Sequence, residues 1–119
     1  MKTTGQSGSR TDAALSQAMD GLWMRFLPEI KARVTVLEAA IKAVSEGKLT
    51  GKQREAAQAA AHKLAGVLGT FGLTRGTVLA RELELTFARE SSPGSGAGAK
   101  LAEIAAELRT MVERRKPSA

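Results

Sequence analysis

The chain predicts an all-α fold: an antiparallel up-down-up-down four-helix bundle with a short extra helix at the N-terminus. Three observations point there. Apolar residues recur at intervals of three and four along most of the 119 residues, which is the period of an amphipathic helix. No stretch alternates with the period of two that marks a strand. Glycine, proline and serine separate the periodic stretches, and such short connections make sequential helices antiparallel neighbours.

Residues 1–10 are polar and contain glycine and serine, so they read as a flexible tail. The bundle follows over residues 11–116, with a second tail at 117–119. Thr11 or Asp12 is placed to cap the first helix, beginning near Ala13. Leu22, Phe26, Ile30, Val34, Leu37, Ile41 and Val44 then mark a long helical stripe. Pro28 falls inside it, and a proline there removes a backbone hydrogen bond and kinks or splits a helix. A short leading helix and a long second one are expected, joined by a bend if they are continuous. Gly47 ends the long one.

Thr50 caps the next helix, from about Gly51 to Thr70, and Gly72 breaks it. Another runs from about Arg75 to Glu90 with Leu79, Leu83 and Phe87 on one face. Ser91 to Gly98 is a flexible loop by composition. The last helix, from about Lys100 to Arg115, turns Leu101, Ile104, Leu108, Met111 and Val112 inward, and Pro117 stops it. Trp23, Met24 and Phe26 read as core or bundle-end packing.

Composition narrows the function. Hydrophobic residues make up 43% of the chain and charged residues 25%, as in an ordinary globular domain. Aromatics are only 3%, so the core is built from Leu, Val, Ile and Ala, and the helices pack closely. There is no cysteine, which excludes disulfides and thiolate metal sites. A single histidine argues against a catalytic metal centre, which draws on two or three. No apolar run is long enough to span a membrane, and Met1 to Arg10 lacks a signal-peptide core, so a cytoplasmic monomer is expected.

Eighteen Lys and Arg against twelve Asp and Glu leave a net charge of +6. Only Arg114-Arg115-Lys116 clusters, and no aromatics interleave with the basic residues to stack on bases. An acidic protein surface is therefore the expected partner, not nucleic acid.

His62 opens the run His62-Lys63-Leu64-Ala65-Gly66-Val67-Leu68-Gly69-Thr70-Phe71-Gly72. Its glycines sit in an otherwise helical, alanine-rich stretch, where each weakens the helix by about 1 kcal/mol relative to alanine. At about 100° per residue, Ala57, Ala61, Leu64, Leu68 and Phe71 share the core side. His62 projects roughly 140° from the centre of that stripe and faces solvent. Gln58, Ala59, Ala65, Gly66 and Gly69 surround it, so the imidazole stands on nearly bare backbone that another protein can approach.

The segments Ala61-His62-Lys63-Leu64-Ala65-Gly66, Gly69-Thr70-Phe71-Gly72-Leu73 and Leu79-Ala80-Arg81-Glu82-Leu83-Glu84 resemble the histidine-containing phosphotransfer (HPt) domains of bacterial multistep phosphorelays. The resemblance spans roughly residues 13–115 and is specific over 61–84. It implies a four-helix bundle that carries a phosphoryl group to or from receiver-domain aspartates. His62 matches the phosphoacceptor and Gly66 the glycine that leaves room for the receiver. Gly72 matches the glycine closing the helix, and Glu84 the residue that hydrogen-bonds and orients the ring. Where many members place a lysine three residues after the histidine, this chain has Ala65. Lys63 is then the candidate phosphate stabiliser, and Val67 replaces a small polar residue.

The chemistry needs a neutral, exposed imidazole, which histidine provides near neutral pH, and an orienting carboxylate fits the logic of an activated nucleophile. No Gly-rich phosphate loop, nucleotide motif or acidic Mg²⁺ cluster is present. The chain therefore reads as a carrier and not as a self-sufficient enzyme. Its partner is a response-regulator receiver or a hybrid histidine kinase, with Mg²⁺ supplied by the receiver. Lys63 and Lys52 suit an acidic receiver, and Arg81, one turn before Glu84, is a further candidate for phosphate contact. The competing reading is a helical adaptor that binds a receiver or other signalling partner while His62 stays unphosphorylated.

Overall fold

The computed structural model describes residues 3–89 and 94–115, with side chains from residue 11 onward except at position 95. Among them lie four α-helices and no strand. They are α1 (Thr3–Ser45), α2 (Gly51–Thr70), α3 (Thr74–Ala88) and α4 (Gly98–Arg114), with a short 3-10 turn, Ser95–Ala97, leading into α4. Helix α1 packs on α2 and α4, and α3 packs on the same two helices, so α1 and α3 occupy opposite corners.

The N-terminal expectations need correction. Helix α1 is one unbroken element, and the short leading helix is simply its first part. It starts at Thr3, so most of the tail expected over 1–10 is helical, and Thr11 and Asp12 lie inside the helix. Extending an existing helix is far cheaper than nucleating one, which lets a polar segment follow the apolar one. Helix α1 runs through Pro28 without a break. The proline leaves the Met24 carbonyl four residues earlier without its helical donor, and Met24 lies on the exposed side of the helix at 64%. The expected tail at 117–119 and positions 91–93 of the expected loop lie outside the described residues. The rest of that loop forms the Ser95–Ala97 turn and the start of α4, which begins two residues early, at Gly98.

Local chemistry sets the joints. Thr50 accepts from the Gln53 N–H at 3.1 Å while its own N–H donates to Gln53 Oε1 at 3.1 Å, a reciprocal capping box. Gly72 closes α2 at φ +74°, a left-handed conformation open to glycine. Its N–H donates to the Gly69 carbonyl at 3.0 Å and the Leu73 N–H to the Leu68 carbonyl at 2.9 Å, which is the Schellman pattern. The turn at Gly72 places α3 beside α2. At the other end of α3, Arg54 donates to the Phe87 carbonyl at 3.0 Å.

The core follows the predicted stripes. Ile30, Val34, Leu37, Ile41 and Val44 of α1 meet Leu64 and Leu68 of α2, Leu79, Leu83 and Phe87 of α3, and Leu101, Ile104, Leu108 and Val112 of α4. Met111 is only partly buried. Ala57, Ala60, Ala61 and Ala65 let the neighbours of α2 approach closely, and all are buried.

At one end of the bundle Trp23 is buried, while Leu22 and Phe26 of the predicted stripe are 38% and 39% exposed. The Trp23 and Phe71 rings meet edge to face at 5.1 Å. The Arg115 guanidinium covers both, 4.9 Å from Trp23 and 5.5 Å from Phe71, and reaches Asp20 at 3.2 Å. Met24 takes no part in this packing. Near the other end, Gly98 of α4 lies against Ser45, the last residue of α1. Between these ends Arg109 of α4 grips Glu38 of α1 with two hydrogen bonds of 2.7 Å.

Candidate functional site

His62 sits midway along α2 on the side away from α1, and Glu84 sits on the neighbouring flank of α3. The packing of the two helices brings them together across 22 residues of sequence, with His62 Nδ1 2.8 Å from Glu84 Oε2. The histidine side chain is 70% exposed and the glutamate 21%. A carboxylate is acceptor-only, so Nδ1 carries the hydrogen and donates it. In the neutral ring that tautomer leaves Nε2 with a free lone pair, on a side chain that is mostly exposed.

Glu55, Gln58, Ala59, His62, Lys63 and Glu84 line one open concavity. Ala59, Gly66 and Gly69 are exposed on the same helix, and Gln58 is half-buried. Ala65 is different. It is 2% exposed and belongs to the core, which corrects its placement on the docking face. The buried arc of α2 is wider than the leucine stripe suggests, because the helix packs on two neighbours, and a methyl group at its margin is fully covered by α3. Thr77 of α3 donates to the Ala65 carbonyl at 3.2 Å.

The three glycines separate by role. A methyl group on Gly66 would meet nothing within 4 Å, so internal packing gives no reason for a glycine there. A methyl group on Gly69 would lie 3.3 Å from Thr77 Oγ1, so that glycine serves the α2–α3 contact. Gly72 supplies the turn already described. Lys63 lines the concavity, whereas Lys52 and Arg81 are exposed but do not. Glu55 lines it too, and the sequence reading passed over it. Its spacing of seven residues before His62, two helical turns on the same face, is the signal that would have found it.

Comparison with known proteins identifies the family. The family model described as Hpt domain matches residues 21–116. Over 62 residues the chain is 40% identical to Protein RcaC of Microchaete diplosiphon, covering 52% of this chain and 10% of that protein. The chain thus spans about a tenth of that relative's length. No solved structure matches it significantly. With a family match over most of its length, on a helical fold carrying an exposed histidine, the chain belongs to the Hpt domain family.

Proposed function

We propose that His62 accepts a phosphoryl group from a receiver aspartate and returns it to another. The carrying observation is the exposed ring whose Nδ1 is held by Glu84 at 2.8 Å. In the forward step the Nε2 lone pair attacks phosphorus, the N–P bond forms, and the P–O bond to the aspartate breaks with its electrons returning to the carboxylate. Positive charge develops on the ring and Glu84 stabilises it through Nδ1–H. The reverse step exchanges the roles of the two bonds.

The receiver supplies Mg²⁺ and the aspartate, and Lys63 sits where it can balance charge on the transferred group. Gln58, Ala59, Gly66 and Gly69 form the docking floor, with Ala65 beneath it. A receiver domain, alone or within a hybrid histidine kinase, is the partner. The end-to-end contacts of α1 with α4 support an antiparallel, up-down-up-down course. We further infer a monomeric protein of the cytoplasm; no described helix is long and apolar enough to cross a membrane.

Incubation with an acyl-phosphorylated receiver tests the proposal. Wild type should acquire an acid-labile, base-stable label, and His62→Gln should acquire none. Equal labelling of the His62→Gln protein would place the phosphoryl group elsewhere. Failure of a full receiver panel to label wild type would favour the adaptor reading, in which the His62–Glu84 contact has no chemical use.

A further inference from the structure

Two charges share the concavity with His62: Glu55, seven residues before it, and Lys63, one residue after. Both side chains are exposed. Among the described residues, the ion pairs link Glu29 with Arg33, Glu84 with His62, Glu107 with Arg75, and Asp20 with Arg115, while Arg109 holds both Glu38 and Glu113. Glu55 and Lys63 enter none of these, and their side chains make no hydrogen bond among the described residues. The positions four residues away from them hold Gly51, Ala59 and Val67, so neither finds the usual partner along the helix. Lys52, three residues before Glu55, forms no ion pair with it. In a chain of net charge +6, a carboxylate left unpaired beside the phosphoacceptor stands out.

We propose that Glu55 and Lys63 fix the direction in which a receiver docks along α2. Lys63 meets the acidic pocket around the receiver's aspartate, and Glu55 meets a cationic side chain on the receiver, displaced toward the N-terminus of α2. Eight residues separate the two charges by about 12 Å along the helix axis. That exceeds the screening length of about 8 Å at physiological salt, so a partner meets them as two distinct poles. A uniformly basic face would attract an acidic receiver in either direction along the helix. A carboxylate at one end penalises the reversed pose by setting like charges together, and such contacts determine register and partner choice more than raw affinity. The inference rests on the phosphotransfer reading.

The test uses a phosphorylated receiver that labels wild-type His62, with kcat and KM for transfer measured at low, physiological and high salt. Glu55→Gln should raise KM about threefold and Glu55→Lys about tenfold, with smaller effects on kcat and with differences that shrink at high salt. Reversing one Lys or Arg beside the receiver's phosphorylation pocket to Glu should restore transfer to the Glu55→Lys protein. Simple attraction of opposite net charges predicts the contrary, a lower KM for Glu55→Lys. An unchanged or lower KM, or no receiver reversal that restores transfer, overturns the inference while leaving His62 as phosphoacceptor. Should no receiver label wild type, the phosphotransfer reading falls and takes this inference with it.

Discussion

Removing the Glu84 carboxylate tests the site most directly. The Nδ1–Oε2 contact of 2.8 Å becomes charge-assisted as the ring gains positive charge during transfer, and such bonds contribute about 1.5–3 kcal/mol. With His62 70% exposed and Glu84 21% exposed, solvent screens one partner well, so the lower end, about 1.5 kcal/mol, is the appropriate figure. At about 1.4 kcal/mol per factor of ten, Glu84→Ala should slow transfer about tenfold. Glu84→Gln retains a neutral acceptor and should slow it about threefold. Rapid-quench measurement of label passing from a phosphorylated receiver to His62 gives both rates. Glu84 bonds to no other side chain in the described structure, so thermal melting should stay close to wild type. Wild-type rates in Glu84→Ala would refute the view that this carboxylate organises the nucleophile.

The glycines give two contrasting predictions. Gly66→Ala should raise stability to urea by about 0.5–1 kcal/mol, because it improves helix propensity and meets nothing. Gly66→Leu should fold equally well yet transfer poorly, and unimpaired transfer would show that receivers do not dock over this residue. Gly98→Ala would drive a methyl group against Ser45 Oγ and to 3.2 Å from the Ser45 Cα. It should cost about 1–3 kcal/mol by overpacking, seen as a melting point several degrees lower, with Ser45→Gly recovering part of the loss. The Arg75–Glu107 pair, 2.9 Å apart, predicts a pH dependence. Its hydrogen bond to Arg75 holds the Glu107 carboxyl below the usual carboxylate range. Its contribution is therefore fully present above that range and lost as pH falls through the lowered folded value. The melting difference between wild type and Glu107→Gln should be small at neutral pH and close on acidification; a difference that widens in acid would contradict the pairing.

Much of this protein was legible in the sequence because helix periodicity, caps and stops are local. Thr50 caps α2 and Gly72 closes it through bonds to residues a few positions away, so no tertiary information was needed to place them. The exposure of His62 followed from its angle to Leu64 and Leu68 on the same helix, and the resemblance of residues 61–84 to a family supplied Glu84. Apart from the helical start of α1, the features that differ depend on what lies beside a helix. Phe71 meets the rings of both Trp23 and Phe26, and the split between buried Trp23 and exposed Phe26 goes with Arg115, which covers Trp23. Ala65 lies in the core and not on the docking face: a methyl group is compatible with either, and the packing of the neighbouring helices decides between them. Gly69 and Gly66 look alike in sequence, yet Thr77 packs against one and leaves the other open. Periodicity reports which way a side chain leaves its own helix; the width of the buried arc, and hence the floor and walls around His62, depends on how closely the neighbouring helices approach.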